Sequence, residues 1–179
     1  MKTLILALSL LSASVALHAA TAPAPQAQLS QFKLGAYITG PQVTPENAAG
    51  KAVLIEAWGI HCPPCLASLP HIEKIAKRNK DKLLVFGAHA QGGTDAEVSA
   101  VVKKHGLSYT ITQGVSSPVQ TRGIPHVFLF DTKGALVFSG HPADPEMERA
   151  VRKVTTGASA TGAGGARPSG LDALKRPGA

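Results

Sequence analysis

A chain of 179 residues holds one ordinary domain and tails. Its formal charge of +7 comes from 18 basic against 11 acidic side chains, and Lys2, Arg167, Lys175 and Arg176 lie near the ends. The mild excess left in the body forms no stripe of basic residues interleaved with aromatic ones, which argues against a nucleic-acid partner.

Met1-Lys2, the apolar run from Leu4 to Leu17 and the small residues Ala19-Ala20-Thr21-Ala22 read as a secretory signal over residues 1–20. The run is shorter than the roughly 20 apolar residues that cross a bilayer. Cleavage and release into a periplasmic or other extracytoplasmic space are therefore expected, with retention as an uncleaved anchor the alternative. Thr21 to Gln28 is rich in Ala, Pro and Gln, and residues 21–30 read as a flexible linker. Phe32 to Ile38 alternates weakly and suggests a strand. Thr44-Pro45-Glu46 opens a short helix, with Thr as N-cap and Pro at the first helical position. Gly50-Lys51 then turns the chain into a strand over 53–57, whose nearly continuous apolar character implies burial on both faces.

Trp58-Gly59-Ile60-His61-Cys62-Pro63-Pro64-Cys65 follows, and beyond it a helix carries Leu66, Leu69, Ile72, Ile75 and Ala76 at spacings of three and four. Glu73, Lys74, Lys77 and Arg78 stand opposite, and Pro70 predicts a kink rather than an end. Leu83 to Ala88 is a second buried strand. Thr94-Asp95-Ala96-Glu97 is a capping box opening a helix that ends near His105-Gly106. Tyr109 to Thr112 is a short strand. His126 to Asp131 and Ala135 to Ser139 form a hairpin around Asp131-Thr132-Lys133-Gly134. Asp144-Pro145-Glu146 caps a last helix running to about Val154. Residues 156–179 are Gly, Ala, Ser and Pro with a few charges, too poor in apolar surface to fold. The domain is thus 31–155, with the order βαβαβ, hairpin, helix. That order predicts an α/β fold with a central mixed sheet and helices on both faces.

Cys62 and Cys65 are the only two cysteines. The strand-to-helix junction sets Cys62 at the exposed start of a helix, where unpaired N–H groups and the helix dipole favour a thiolate. Cys65 lies one turn deeper, close enough to close a disulfide. A structural staple is the other reading of a lone pair in an exported chain. So short a loop removes little chain entropy, however, and dithiol–disulfide exchange is preferred. No second Cys/His pair stands at zinc-finger spacing, and no metal or other cofactor is expected. Pro63 and Pro64 remove two N–H donors from the helix start. A less stabilised thiolate means a more reducing couple, expected below about −200 mV.

The Trp58–Cys65 segment, Gly123-Ile124-Pro125, Lys104-His105-Gly106-Leu107 and the Phe-Leu-Phe-Asp-Thr-Lys-Gly hairpin at 128–134 together resemble the TlpA/ResA group of exported thiol–disulfide oxidoreductases, over roughly residues 30 to 155. The resemblance implies a thioredoxin fold, with Cys62 attacking and Cys65 resolving the mixed disulfide. It implies that Pro125 is a cis-proline facing the pair, leaving the Ile124 backbone free to pair with an extended client; a trans-proline opening an edge strand is the alternative. Glu56 matches the acid that takes the proton of the buried sulfur, and a buried carboxyl with few polar partners should titrate near neutrality. The alternative has Glu56 pointing to solvent. His61 stands where many relatives have an aromatic residue; protonated, it could stabilise the Cys62 thiolate, or it is a plain surface histidine. Trp58, His61, Ile124 and Pro125 are the candidate substrate-binding residues. Ser68 departs from the group, whose members often carry Glu there.

The expected partners are disulfide-containing exported proteins, an apocytochrome c before haem attachment among them, and a membrane thiol electron donor. Neither nucleic acid nor stable membrane insertion after signal cleavage is expected. The competing reading is a copper-binding chaperone using Cys62, Cys65 and His61 or His126 as soft ligands. Against it stands the lack of a Met-rich stretch, with only Met1 and Met147. A peroxidase of the peroxiredoxin type would need Thr-x-x-Cys, which the residues before Cys62 do not supply.

Overall fold

In the computed structural model, which describes residues 26–157, the strand Ala52–Trp58 (β3) is buried at every position near the middle of a six-stranded mixed sheet. On one side of β3, Leu83–His89 (β4) and Thr110–Gln113 (β5) run parallel to it and to each other. On the other, His126–Phe130 (β7) pairs antiparallel with β3, and Leu136–Gly140 (β8) antiparallel with β7. Tyr37–Thr39 (β2) closes the far edge against β5. Lys33–Leu34 (β1) and Val115–Ser116 (β6) make a separate two-stranded pairing. The stretch 32–38, expected as one strand, therefore divides between two sheets.

The helices form where their capping residues stand. The Thr44 hydroxyl accepts from the Asn47 N–H at the start of Pro45–Ala48 (α1). Thr94 accepts from the Glu97 N–H ahead of Asp95–His105 (α3), and Asp144 from the Glu146 N–H ahead of Pro145–Thr155 (α4). The helix Pro63–Arg78 (α2) continues through Pro70. The hairpin turn closes as its residues predict. Asp131 Oδ1 accepts from the Lys133 and Ala135 N–H groups, and Gly134 takes the left-handed φ of 81°.

The two faces of the sheet are covered unequally. Leu69, Ile72 and Ile75 of α2, Val98 and Val102 of α3, and Met147 and Val151 of α4 share one core with Leu54, Val85, Val127 and Leu129. Both crossovers, β3–α2–β4 and β4–α3–β5, step the same way across the sheet, and right-handed connections then put both helices on one side. The other face, with Val53, Ile55, Phe86, Phe128 and Phe130, is covered by Phe32 together with Ala27, Leu29, Leu34 and Val43. The Phe32 ring meets Phe128 and Phe130 edge-on, with centroids 5.0 and 4.8 Å away.

That cover corrects one expectation. Residues 26–30, placed in the linker, are docked: Ala27 accepts from the Leu136 N–H, the Leu29 N–H donates to Gly134, and Leu29–Gln31 forms a 3-10 turn. Ala27 and Leu29 pack on the open face while these backbone bonds anchor the segment, and two apolar residues form too short a pattern to show a period. Glu73, expected toward solvent, is only 7 % exposed. It accepts from the Ser108 N–H and hydroxyl at 2.8 and 2.7 Å and pairs with Lys77 at 3.0 Å, because the α3–β5 connection folds over it. The expectations for residues 1–20, for 21–25 and for the tail beyond 157 lie outside the described residues. Among those described, no helix is long and apolar enough to cross a membrane.

Candidate active site

Cys62 is the N-cap of α2, and its Sγ accepts from the Cys65 N–H at 3.2 Å. Pro63 and Pro64 fill the two intervening positions and bring no N–H, so the donor set at this helix start is reduced as their chemistry requires. The two cysteines are joined as a disulfide with a Cα–Cα separation of 5.2 Å. Cys65 is fully buried, and Cys62, expected at an exposed helix start, is only 7 % exposed. The cause is the loop ahead of β7. The Ile124 carbonyl oxygen lies 3.9 Å from Cys62 Sγ, and the Ile124–Pro125 peptide is cis. Ile124, Pro125 and the cysteine pair are thus together, although the sequence separates them by about sixty positions.

Glu56 lies inside β3, opposite Gly87 of β4 and Val127 of β7, and is fully buried on the α2 side. Neither neighbour offers a polar group. Oε1 accepts from Ser68 Oγ at 2.9 Å, and the Tyr109 hydroxyl reaches Oε2 at 3.5 Å. Burial raises the Glu56 pKa to about 7, against the smaller lowering by those two hydroxyls. The reading that pointed Glu56 to solvent is excluded.

Trp58, expected at the substrate surface, is fully buried. Its ring stands edge-on to His89 with centroids 5.5 Å apart, and it lies over Gly87, where an added Cβ would come within 2.9 Å of the indole nitrogen. With no exposed surface of its own, it supports the site from below. The parallel register sets Trp58 beside His89, and a large apolar ring in that position belongs to the core.

His61 is exposed, and its backbone N–H donates to Gln91 Oε1 at 2.9 Å. One residue earlier, the Ile60 N–H donates to His89 Nε2 at 3.4 Å. Burial lowers the His89 pKa, and the nearby His61 adds to that; the imidazole therefore stays neutral and keeps an acceptor for Ile60. Gln91 and His89 thus fix the turn that presents Cys62. By sequence, His89 reads as an ordinary surface or core histidine and Gln91 carries no motif. The available signal was their position at the C-terminal end of a parallel strand beside the motif, where α/β sheets build their sites. Ser68, in the sequence only a departure from the group's Glu, is the nearest hydrogen-bond partner of Glu56. His126 is engaged elsewhere, 2.9 Å from Ser139 Oγ and against the Phe128 ring. Among the described residues, no three His, Cys, Asp or Glu side chains are grouped so as to hold a metal ion.

Comparison with known proteins agrees with this geometry. The profile of the Redoxin family matches residues 19–155. The thioredoxin-like protein YneN of Bacillus subtilis is 27 % identical over 119 residues, covering 63 % of this chain and 70 % of that protein. The thiol–disulfide oxidoreductase ResA of Bacillus thuringiensis is 24 % identical over 124 residues, covering 66 % and 72 %. Among solved structures, a thiol–disulfide isomerase from Corynebacterium glutamicum superposes with a TM-score of 0.61 at 18 % identity, over 75 % of this chain and 97 % of that one. A thiol:disulfide interchange protein from Chlorobium tepidum gives 0.56 at 19 %, over 76 % and 99 %. The fold is that of thioredoxin.

Proposed function

The chain belongs to the Redoxin family and is a thiol–disulfide oxidoreductase, and from that premise we propose that it works on the reducing side, opening disulfides in exported proteins. The observation that carries the reading is the placement of Cys62. It caps a helix, sits beside the Ile124 carbonyl and is bonded to a sulfur that is wholly buried.

In the dithiol state, the Cys62 thiolate attacks one sulfur of a client disulfide. A Cys62–client bond forms, the client S–S bond breaks, and the other client sulfur leaves as a thiolate. Ile124 offers its backbone to an extended client segment, so recognition is largely independent of side chains. His61, exposed beside Cys62, faces the approaching client. Cys65 then gives its proton to Glu56, and its sulfur attacks Cys62. The second client thiolate is released, and the Cys62–Cys65 disulfide forms. The client gains the two electrons that the protein dithiol loses. A thiol donor at the membrane restores the dithiol. The direction is supported by Pro63 and Pro64, which leave the Cys62 thiolate with few donors. The location outside the cytoplasm is supported by the signal-like pattern of residues 1–20. An apocytochrome c awaiting haem is one client class of this chemistry.

The test is a trapping experiment with a disulfide-bonded peptide. Cys65→Ala should accumulate a mixed disulfide through Cys62, readable by mass, and Cys62→Ala should accumulate none. A folded Cys65→Ala that forms no adduct would remove the exchange mechanism. A glutathione-equilibrium potential well above about −200 mV would remove the reducing direction alone.

A further inference from the structure

Glu56 is closed off from water, yet each catalytic cycle requires it to discharge the proton it takes from Cys65. Its Oε1 lies 2.9 Å from Ser68 Oγ, and the same hydroxyl lies 2.8 Å from the Cys65 carbonyl oxygen. Ser68 is half-buried, and it lines a groove of about 490 Å³ between α2 and the β8–α4 connection. His71, His141, Asp144 and Glu148 line the same groove. The other partner of Glu56, Tyr109, is farther away at 3.5 Å and almost wholly buried. Burial and the Glu56 and Glu73 carboxylates hold its hydroxyl well above the usual phenol range, so it keeps its proton.

Building on the reading of Glu56 as the base for Cys65, we propose that Ser68 is the positioning residue through which the Glu56 proton leaves for water in this groove. A serine hydroxyl carries one proton and accepts at its oxygen. With Glu56 neutral, the carboxylic O–H donates to Ser68 Oγ, and the Ser68 O–H donates to the Cys65 carbonyl. With Glu56 ionised, the Ser68 O–H turns to the carboxylate. Between the two, the Ser68 O–H swings from the Cys65 carbonyl to a water in the groove, and the Glu56 proton moves to Ser68 Oγ as the proton already on Ser68 passes to that water. One O–H bond breaks and one forms at the serine, and no electron moves. The groups that bear on this titration are few. Cys65 and Ser68 come from α2 and Tyr109 from the α3–β5 connection, with Glu73 acting on Tyr109. Gly87 and Val127, from β4 and β7, carry no charge. At the groove, His71 pairs with Glu148 at 3.7 Å, and His141 and Asp144 stand on the opposite wall.

The experiment follows resolution of a Cys62–peptide mixed disulfide by rapid mixing across about pH 5 to 9, in the full chain and four variants. The unaltered chain should inflect near 7. Ser68→Ala should move the inflection up by about one pH unit, because a hydrogen bond favouring the charged carboxylate is gone, and should slow resolution about tenfold at neutral pH. Ser68→Thr, which keeps the hydroxyl, should restore both, and Tyr109→Phe should do less than Ser68→Ala. A Ser68→Ala profile overlaying the unaltered one, no rescue by threonine, or an equal effect of Tyr109→Phe would overturn the relay and leave Glu56 as the base. If Glu56→Gln keeps the inflection, the base assignment and the relay fall together.

Discussion

Glu56 shows how a single side chain sets a local stability cost against a chemical use. Its carboxyl titrates at about 7 in the folded chain, against an ordinary value of 4.5. Between those values the folded state binds the proton more tightly than the unfolded chain does. Stability therefore falls as pH rises from about 4.5 through about 7 and levels off above. Glu56→Gln should raise stability by about 1–3 kcal/mol near pH 8 and leave it nearly unchanged near pH 4, measured by urea unfolding. An equal gain at both pH values would trace the effect to packing rather than ionisation. The same residue was legible in the sequence as an acid on an apolar strand. Its burial was the expected outcome of a strand covered on both faces; its partners Ser68 and Tyr109 were not legible, because alternation cannot say which face of such a strand meets a helix.

At the scale of the element, α2 combines a helix start that should stabilise an anion with two prolines that remove part of that stabilisation. Pro64→Ala restores an N–H one residue before the Cys65 donor. The Cys62 thiol pKa should drop by about one unit, and the potential should rise by about 30 mV, read by thiolate absorbance and glutathione equilibrium. A potential that stays put would mean that the prolines do not set the redox poise. The turn before α2 depends on a different element: Gln91 and His89, at the end of β4, hold the His61 and Ile60 N–H groups. The Cys-x-x-Cys spacing announces the helix start, and it carries no trace of these partners thirty residues downstream.

At the scale of the fold, among the described residues three helices crowd one face of the sheet, and an irregular segment ahead of β2 covers the other. Phe32 is the centre of that second cover, 4 % exposed and wedged between Phe128 and Phe130. Phe32→Ala should cost about 3–5 kcal/mol by opening a cavity under the segment, measured by chemical unfolding. A loss below about 1 kcal/mol would show that the segment is dispensable to the domain. The sequence by itself determined the features written in adjacent residues: the β3–α2 junction and its cysteine spacing, the caps at Thr44, Thr94 and Asp144, and the Asp131–Gly134 turn. Each depends on backbone preferences and hydrogen bonds within a few positions. Only the tertiary structure decided that Trp58 and Glu73 are buried, that Ala27 and Leu29 dock, and that Ile124 lies against Cys62. It alone set Ser68 between Glu56 and a solvent groove. Those outcomes rest on partners brought together by strand order and by the side of the sheet on which each connection returns, and no local pattern records them.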